Sequence, residues 1–276
     1  MMKNFFVFFL LIGVFYSSIA QEEVKVPFSV AISAHINKYN QRIDEAYEDN
    51  DMERATFLFD SLVDNHLKGT YMDNFQVNQL KGESLSLNSF EKPIYLVTYA
   101  AWCVPGIGEI PAFNDLVERF HDQIDFVVLF WDTEENLKSK ADDYSEFAHL
   151  VYVDEKSNQN SYIINKLKHA LGFPMTYFMD PDKKILDIRK VITHHSSESL
   201  SNSYNIHFNS LSKGVSLLIA DLDTRPPEEK DAEMVTEDLS KPTGPRDDRT
   251  EEERRIDEEY EKYRREKDSL KKLRDN

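Results

Sequence analysis

Apolar and polar residues recur with two different periods along this chain, and the change of period divides it into segments. Over residues 27–68 the apolar positions fall three or four residues apart, which predicts helices with one apolar face. The polar stretch 48–51 interrupts this pattern, so we expect a helical hairpin within the N-terminal segment 21–68. Its apolar stripe needs a partner, most simply the domain that follows.

From Gly69 onwards short apolar runs alternate with stretches of helical period. The runs that predict strands are 74–80, 84–87, 93–100, 124–131, 150–153, 175–179 and 184–192. Helices are predicted at 107–121, 133–144, 161–171 and 204–222, with Thr133 as a helix N-cap. Strands that alternate with helices predict an α/β domain over residues 69–222, with a central mixed sheet and helices on both faces.

The first twenty residues have the features of an export signal. Lys3 precedes an apolar run at 5–16, which is shorter than the roughly 20 residues that a membrane-spanning helix needs. The small residues Ser18 and Ala20 then form a cleavage signal. We therefore predict a signal peptide at 1–20 and an exported mature chain without a membrane span. The alternative is an uncleaved anchor helix, which the polar residues directly after position 20 disfavour.

The C-terminal part differs in composition from the rest of the chain. Residues 223–249 contain four prolines and many charges but almost no large apolar residue, which predicts a disordered linker. Residues 250–276 predict a charged helix, because Thr250 and Glu253 form a capping box and the charge changes from acidic to basic along the segment. A thin apolar seam that starts at Ile256 leaves two interpretations open, a solvated lone helix or a helix that binds a partner helix.

The net charge and the cysteine content restrict the classes of function. A net charge of −17 argues against nonspecific binding to nucleic acid or to anionic lipid surfaces. Cys103 is the only cysteine, so the chain forms no intramolecular disulfide. In an oxidising compartment a single thiol is either buried and inert or reactive towards another molecule.

Two motifs connect Cys103 with a proline much later in the chain. Residues 98–106 read TYAAWCVPG and are followed by Glu109 and Pro111, and residues 172–178 read GFPMTYF. These motifs resemble the thioredoxin superfamily, and within it the exported TlpA-type thiol-disulfide oxidoreductases of bacteria, over roughly residues 69–222. The resemblance implies a thioredoxin-like fold, a periplasmic or secreted protein, and exported partner proteins that carry disulfides or thiols.

The same resemblance implies a site made from two loops. Cys103 would be the catalytic thiol, and a cis proline at Pro174 would lie beside it and position the backbone of a substrate. The other candidate site residues are Trp102, Val104, Pro105, Gly106, Glu109 and Phe173. Because Cys103 follows a strand and precedes a helix, we expect the helix dipole to depress the pKa of its thiol. Glu109 either tunes this site or is an ordinary residue on the helix surface.

The chain departs from the family pattern at two positions. Gly106 stands where the second cysteine of the motif would be, and Val97 replaces an acidic residue that is often buried in thioredoxins. Without a second thiol, Cys103 can form a mixed disulfide but cannot resolve it alone. Two hypotheses follow: single-thiol disulfide exchange that an external thiol completes, or a catalytically degenerate binding module. They leave open whether the protein is an enzyme.

Other chemistries lack the residues that they require. A peroxiredoxin needs a threonine three positions before its cysteine, where this chain has Ala100, and Thr98 is two residues too early. His194 and His195 are adjacent, so their side chains point apart on a strand and we expect no metal site. The chain has no glycine-rich phosphate loop, and we expect no cofactor. Four other histidines are expected on the surface or in the core: His121, His149, His169 and His207.

Overall fold

The computed structural model of the chain describes residues 24–80, 83–100, 102–156, 163–191 and 199–224, together with Lys262 and Arg265. The predicted signal peptide 1–20, the linker from residue 225 onwards, and the C-terminal segment 250–276 apart from those two helical residues lie outside the described residues. So do His194 and His195 and the tip of the predicted hairpin at 81–82. The predictions for these segments stay predictions.

Two consecutive helices form the N-terminal hairpin that the apolar period predicts. Helix α1 spans Phe28–Glu48, and helix α2 spans Met52–Leu62 and continues into a π-helical turn at Val63–Leu67. The polar stretch between them ends α1 and caps α2, because the Asp51 carboxylate accepts a hydrogen bond of 2.9 Å from the backbone N–H of Arg54.

Among the described residues, seven strands form one mixed sheet. The strands are β1 (Gln76–Gln79), β2 (Leu85–Ser86), β3 (Ile94–Tyr99), β4 (Asp125–Phe130), β5 (His149–Tyr152), β6 (Met175–Met179) and β7 (Ile185–Lys190). They lie in the order β2-β1-β5-β4-β3-β6-β7, with β3, β4 and β5 parallel and the other neighbours antiparallel. Every residue of β3 and β4 is buried, as their continuous apolar sequences indicate.

The helices cover both faces of this sheet, which confirms the predicted layers. Alternate residues of β3 point to opposite faces: Ile94 and Leu96 join the cluster that contains the hairpin, whereas Tyr95 and Val97 join a second cluster. That second cluster contains buried residues of helices α3 (Glu109–Phe120) and α5 (Leu200–Thr224). The stripe of the hairpin therefore finds the partner expected of it, the sheet of the following domain.

Three helical segments differ from their predicted bounds. The segment 133–144 forms only a short helix α4 at Glu134–Lys138 and a 3₁₀ turn at Ala141–Asp143, because only Leu137 among these residues is buried. Helix α5 is longer at both ends than the predicted 204–222. The apolar period did not indicate its first and last turns, because these carry few apolar side chains. The predicted helix 161–171 contains a π-helical turn at Ile163–Lys168. In the part of the chain that the structure describes, each helix is too short or too polar to cross a membrane.

Candidate active site around Cys103

Cys103 lies in the loop that leaves the central strand β3. Its backbone N–H donates to the carbonyl of Ala100 at 2.9 Å, and its Sγ accepts a hydrogen bond of 3.5 Å from the N–H of the same residue. The side chain is half-buried and packs against the cluster between the sheet and α3. The thiol is therefore held at the edge of the core and remains open to a reaction partner on its other side.

Apolar side chains surround this thiol on the protein surface. Trp102 is 72% exposed, Val104 89% and Ile107 62%, although all three are large apolar residues. Scattered exposed apolar residues need no explanation, but three of them within one loop form a patch of the kind that binds another molecule. The loop thus combines a single thiol with an exposed apolar rim.

The second predicted loop lies directly beside the first. The peptide bond between Phe173 and Pro174 is cis, which is the geometry that the resemblance implies. The Phe173 ring packs against the Trp102 indole with 5.2 Å between ring centroids. Strand β6 begins at Met175 and pairs with Thr98 of β3, so the sheet itself fixes the two loops side by side.

Glu109 is buried within the site. Only 4% of the residue is exposed, its Oε1 accepts a hydrogen bond from the Tyr99 hydroxyl, and its Oε2 accepts one of 2.9 Å from the Gly106 N–H. The interpretation of Glu109 as a helix-surface residue is therefore wrong. The spacing could have shown this, because Glu109 shares a helix face with the buried Phe113 and Leu116, four and seven positions later. With Val97 apolar and buried, α3 rather than β3 supplies the buried acid next to Cys103.

The predicted depression of the Cys103 pKa is wrong. Burial raises the pKa of the thiol, the hydrogen bond from Ala100 lowers it, and the negative charge of Glu109 raises it again, with a net rise. The helix dipole does not compensate, because α3 begins only at Glu109, six positions after the cysteine. The Gly106 N–H, which could have faced the Cys103 thiolate, donates to the Glu109 carboxylate instead.

Replacing Glu109 with glutamine is expected to lower the pKa of Cys103. Glutamine keeps a similar shape and an acceptor for the Gly106 N–H but removes the negative charge that disfavours the thiolate. The pH profile of iodoacetamide alkylation should therefore shift to lower pH in Glu109→Gln. Glu118→Gln, which changes an exposed carboxylate on the same helix, is the matched control and should leave the profile unchanged. A profile that stays in place in Glu109→Gln contradicts this account.

A cleft of about 360 Å³ opens next to Cys103, on the side of α3 and the end of β4. Its wall includes Gly106, Ile110 and Tyr144, and Lys140 and Asp143 carry opposite charges at its border. The volume lies within the range of about 300–1,000 Å³ that small-molecule sites occupy. The thiol therefore has neighbouring space for a small reactant as well as a surface patch for a large one.

Sequence reasoning missed one residue of this site, His207 on α5. His207 is 2% exposed and its imidazole lies against Gly106. It is therefore a core histidine, which is one of the two locations expected for it. A contact between positions 106 and 207 depends on the packing of α5 and has no signature in either local sequence.

The peroxidase alternative finds no support in the geometry. Thr98 is completely buried, and its hydroxyl lies 3.3 Å from both the backbone N–H and the carbonyl of Met175, so it does not face the thiol. Ala100, at the position that would need the hydroxyl, has none. Within the described ranges no group of three or more histidine, cysteine or acidic residues is arranged to hold a metal ion.

The fold and the two loops are similar to those of thioredoxin-like proteins. More particularly, residues 69–188 match the AhpC/TSA family. The chain is also similar to the thioredoxin-like protein YneN of Bacillus subtilis (strain 168), with 27% identity over 126 residues that cover 44% of this chain and 70% of that relative.

Solved structures with a similar fold include two from Bacteroides. The thioredoxin domain of a thiol-disulfide oxidoreductase from Bacteroides vulgatus is 22% identical and has a TM-score of 0.40, with 53% of this chain and 96% of that chain covered. A thiol:disulfide interchange protein from Bacteroides sp. is 22% identical with a TM-score of 0.41, and the coverage is 54% of this chain and 90% of that chain.

Proposed function

We propose that this chain is an exported thioredoxin-like protein that exchanges disulfides through the single thiol of Cys103, with an external thiol completing the cycle. One observation carries the proposal: the half-buried thiol lies in a loop that contains the exposed apolar residues Trp102, Val104 and Ile107, and Trp102 packs this loop against Phe173 in the loop of the cis proline. Disulfide-bearing exported proteins are the proposed partners. The signal peptide predicted at 1–20 supports export, to a bacterial periplasm or the medium.

The exchange requires two steps after the first attack. The Cys103 thiolate attacks one sulfur of a substrate disulfide, a mixed disulfide forms, and the other substrate sulfur leaves as a thiolate that takes up a proton. An external thiolate then attacks the substrate sulfur of the mixed disulfide and expels Cys103. A second external thiol releases the substrate dithiol and leaves as the external disulfide. The 360 Å³ cleft provides room for such a small thiol beside Cys103.

The raised pKa of Cys103 makes this exchange slow rather than impossible. Each unit above the ambient pH reduces the thiolate tenfold, but the more basic thiolate is about threefold more nucleophilic, so the net rate falls only about threefold to fourfold. A basic thiolate is also a poorer leaving group. A mixed disulfide at Cys103 should therefore persist, which suits a protein that captures its partner covalently.

Replacing Cys103 with serine is expected to abolish covalent capture completely. The full chain is incubated with oxidised glutathione, and separately with a disulfide-bonded protein, and is then examined by mass spectrometry and on non-reducing gels. The native chain should form adducts that disappear with dithiothreitol, whereas Cys103→Ser should form none. The unsubstituted chain after denaturation is the control for the reactivity of an accessible thiol. Adducts that form only after denaturation would show that the thiol is inaccessible and would overturn the proposal.

A degenerate binding module is the second candidate, and the raised pKa of Cys103 together with the apolar rim favours it. Trp102, Val104 and Ile107 could hold a partner without any covalent bond. The two candidates differ in one measurement. If Cys103→Ala retains a noncovalent partner that Trp102→Ala loses, the loop acts as a binding surface and the thiol is not needed.

A further inference from the structure

The position of the missing second cysteine is occupied by a side chain from another part of the chain. A Cβ atom built on Gly106 would lie 2.5 Å from Nε2 of His207 and 3.4 Å from its Cδ2 and Cε1 atoms. Real Cβ contacts essentially never fall below 3.0 Å. The imidazole therefore fills the volume that any side chain at position 106 would enter.

Close packing on α5 holds this imidazole in place. His207 is 2% exposed, and its helix α5 is clamped against the same loop one turn earlier. There the N–H of Gly108 donates to the Ser203 hydroxyl at 3.0 Å, and a Cβ on Gly108 would lie 2.1 Å from the backbone nitrogen of Tyr204. Close packing of this kind resists insertion of even one methyl group. Position 106 therefore lacks the second thiol, and the packing of α5 also requires a glycine there.

We propose that the imidazole of His207 excludes a cysteine side chain from position 106, so that the packing of the fold restricts this site to single-thiol chemistry. Its consequence for function rests on the proposed exchange at Cys103: a mixed disulfide there must be resolved by a thiol from outside the chain. Restoring a cysteine at position 106 alone then restores no internal resolving thiol, because the imidazole holds its place.

The test compares Gly106→Cys with the double variant Gly106→Cys/His207→Ala, both as full chains. Oxidised glutathione is the oxidant: two protein thiols form one disulfide and pass two electrons and two protons to it, which yields two molecules of glutathione. The double variant should lose nearly all of its free thiols and show the mass of an intramolecular disulfide. Gly106→Cys alone should keep its thiols or form glutathione adducts. Gly106→Cys/His207→Gln, which retains bulk at position 207, is the matched control and should behave like Gly106→Cys.

A second measurement covers the case in which the cysteine variants fold poorly. Gly106→Ala adds only the Cβ atom, and we expect it to lower the melting temperature of the native chain by roughly 3–10 °C. In a His207→Ala background the same change should lower the melting temperature much less, because the space is then vacant. This difference measures the steric coupling directly.

Two results would overturn the inference: ready formation of the internal disulfide in Gly106→Cys alone, or an equal effect of Gly106→Ala in both backgrounds. The melting-temperature comparison requires no reaction of Cys103 at all. A failure of the native chain to form mixed disulfides would therefore remove the proposed function while the steric role of His207 could still hold.

Discussion

Raising the pH from 8 to 11 is expected to remove about 4 kcal/mol from the free energy of unfolding of this protein. Three of the buried tyrosines have raised pKa values: Tyr95 is 1% exposed, Tyr99 7% and Tyr177 0%. Burial raises the pKa of each phenol, and the Glu109 carboxylate raises that of Tyr99 further. Since domains are stable by only about 5–15 kcal/mol, this loss is a large share of the total stability.

The sign follows from proton binding in the two states. Below about pH 10 the three phenols are protonated in both the folded and the unfolded chain, so they make no pH-dependent contribution. Above it the unfolded chain releases these protons while the folded chain retains them. The unfolded state then binds fewer protons, and stability falls as the pH rises, by about 1.4 kcal/mol for each tyrosine at pH 11. Urea unfolding followed by circular dichroism between pH 8 and pH 11.5 measures this slope.

Tyr177→Phe separates the tyrosines from the other groups that titrate in this range. The Tyr177 hydroxyl is buried and has no hydrogen-bond partner among the described residues, so its removal should leave the stability at neutral pH unchanged or slightly higher. At pH 11 the variant should retain about 1.4 kcal/mol more of its stability than the native chain does. Parallel curves for the two proteins would show that the alkaline loss comes from other groups, such as lysines or the further tyrosines with raised pKa values, Tyr39 and Tyr144.

The central sheet and the two site loops could be predicted from the sequence because their signals are local. Strand β6 has the predicted bounds 175–179, and β3 and β4 are each one residue shorter at either end than predicted. Such strands are buried on both faces and read as continuous apolar runs. The neighbouring positions of the loops at Cys103 and Pro174 then follow from the pairing of β3 with β6.

The electrostatics of the thiol could not be predicted in the same way. The expected depression of its pKa depended on a helix that starts at Cys103, but the chain is irregular at 103–106, turns at Ile107 and Gly108, and α3 begins only at Glu109. Whether a glycine-containing loop becomes the first turn of a helix is decided by what packs against it. Here α5 packs against Gly106 and Gly108 and leaves the thiol with a buried carboxylate nearby rather than with free N–H groups.

Replacing Gly108 with alanine is expected to destabilise the chain by about 3 kcal/mol and to lower the melting temperature by roughly 6–12 °C. The added Cβ would lie 2.1 Å from the backbone nitrogen of Tyr204 and 2.5 Å from the carbonyl carbon of Ser203. These are backbone atoms of α5, so no side-chain rotation relieves the contact and the helix must move as a whole. The hydrogen bond of 3.0 Å from the Gly108 N–H to the Ser203 hydroxyl would weaken at the same time.

Gly172→Ala is the comparison that isolates steric contact from backbone freedom. Gly172 has a φ of +77° and open space around its Cβ position, so alanine there meets only the backbone penalty of about 1–2 kcal/mol. Gly108 has a φ of −99°, which alanine adopts without strain, but the space for its Cβ atom is blocked by the backbone of α5. Because α5 also carries His207, its displacement in Gly108→Ala should relax the contact at Gly106 and accelerate alkylation of Cys103 in the folded chain. Equal losses of stability in the two variants, with alkylation unchanged, would mean that α5 does not hold the cysteine loop in place.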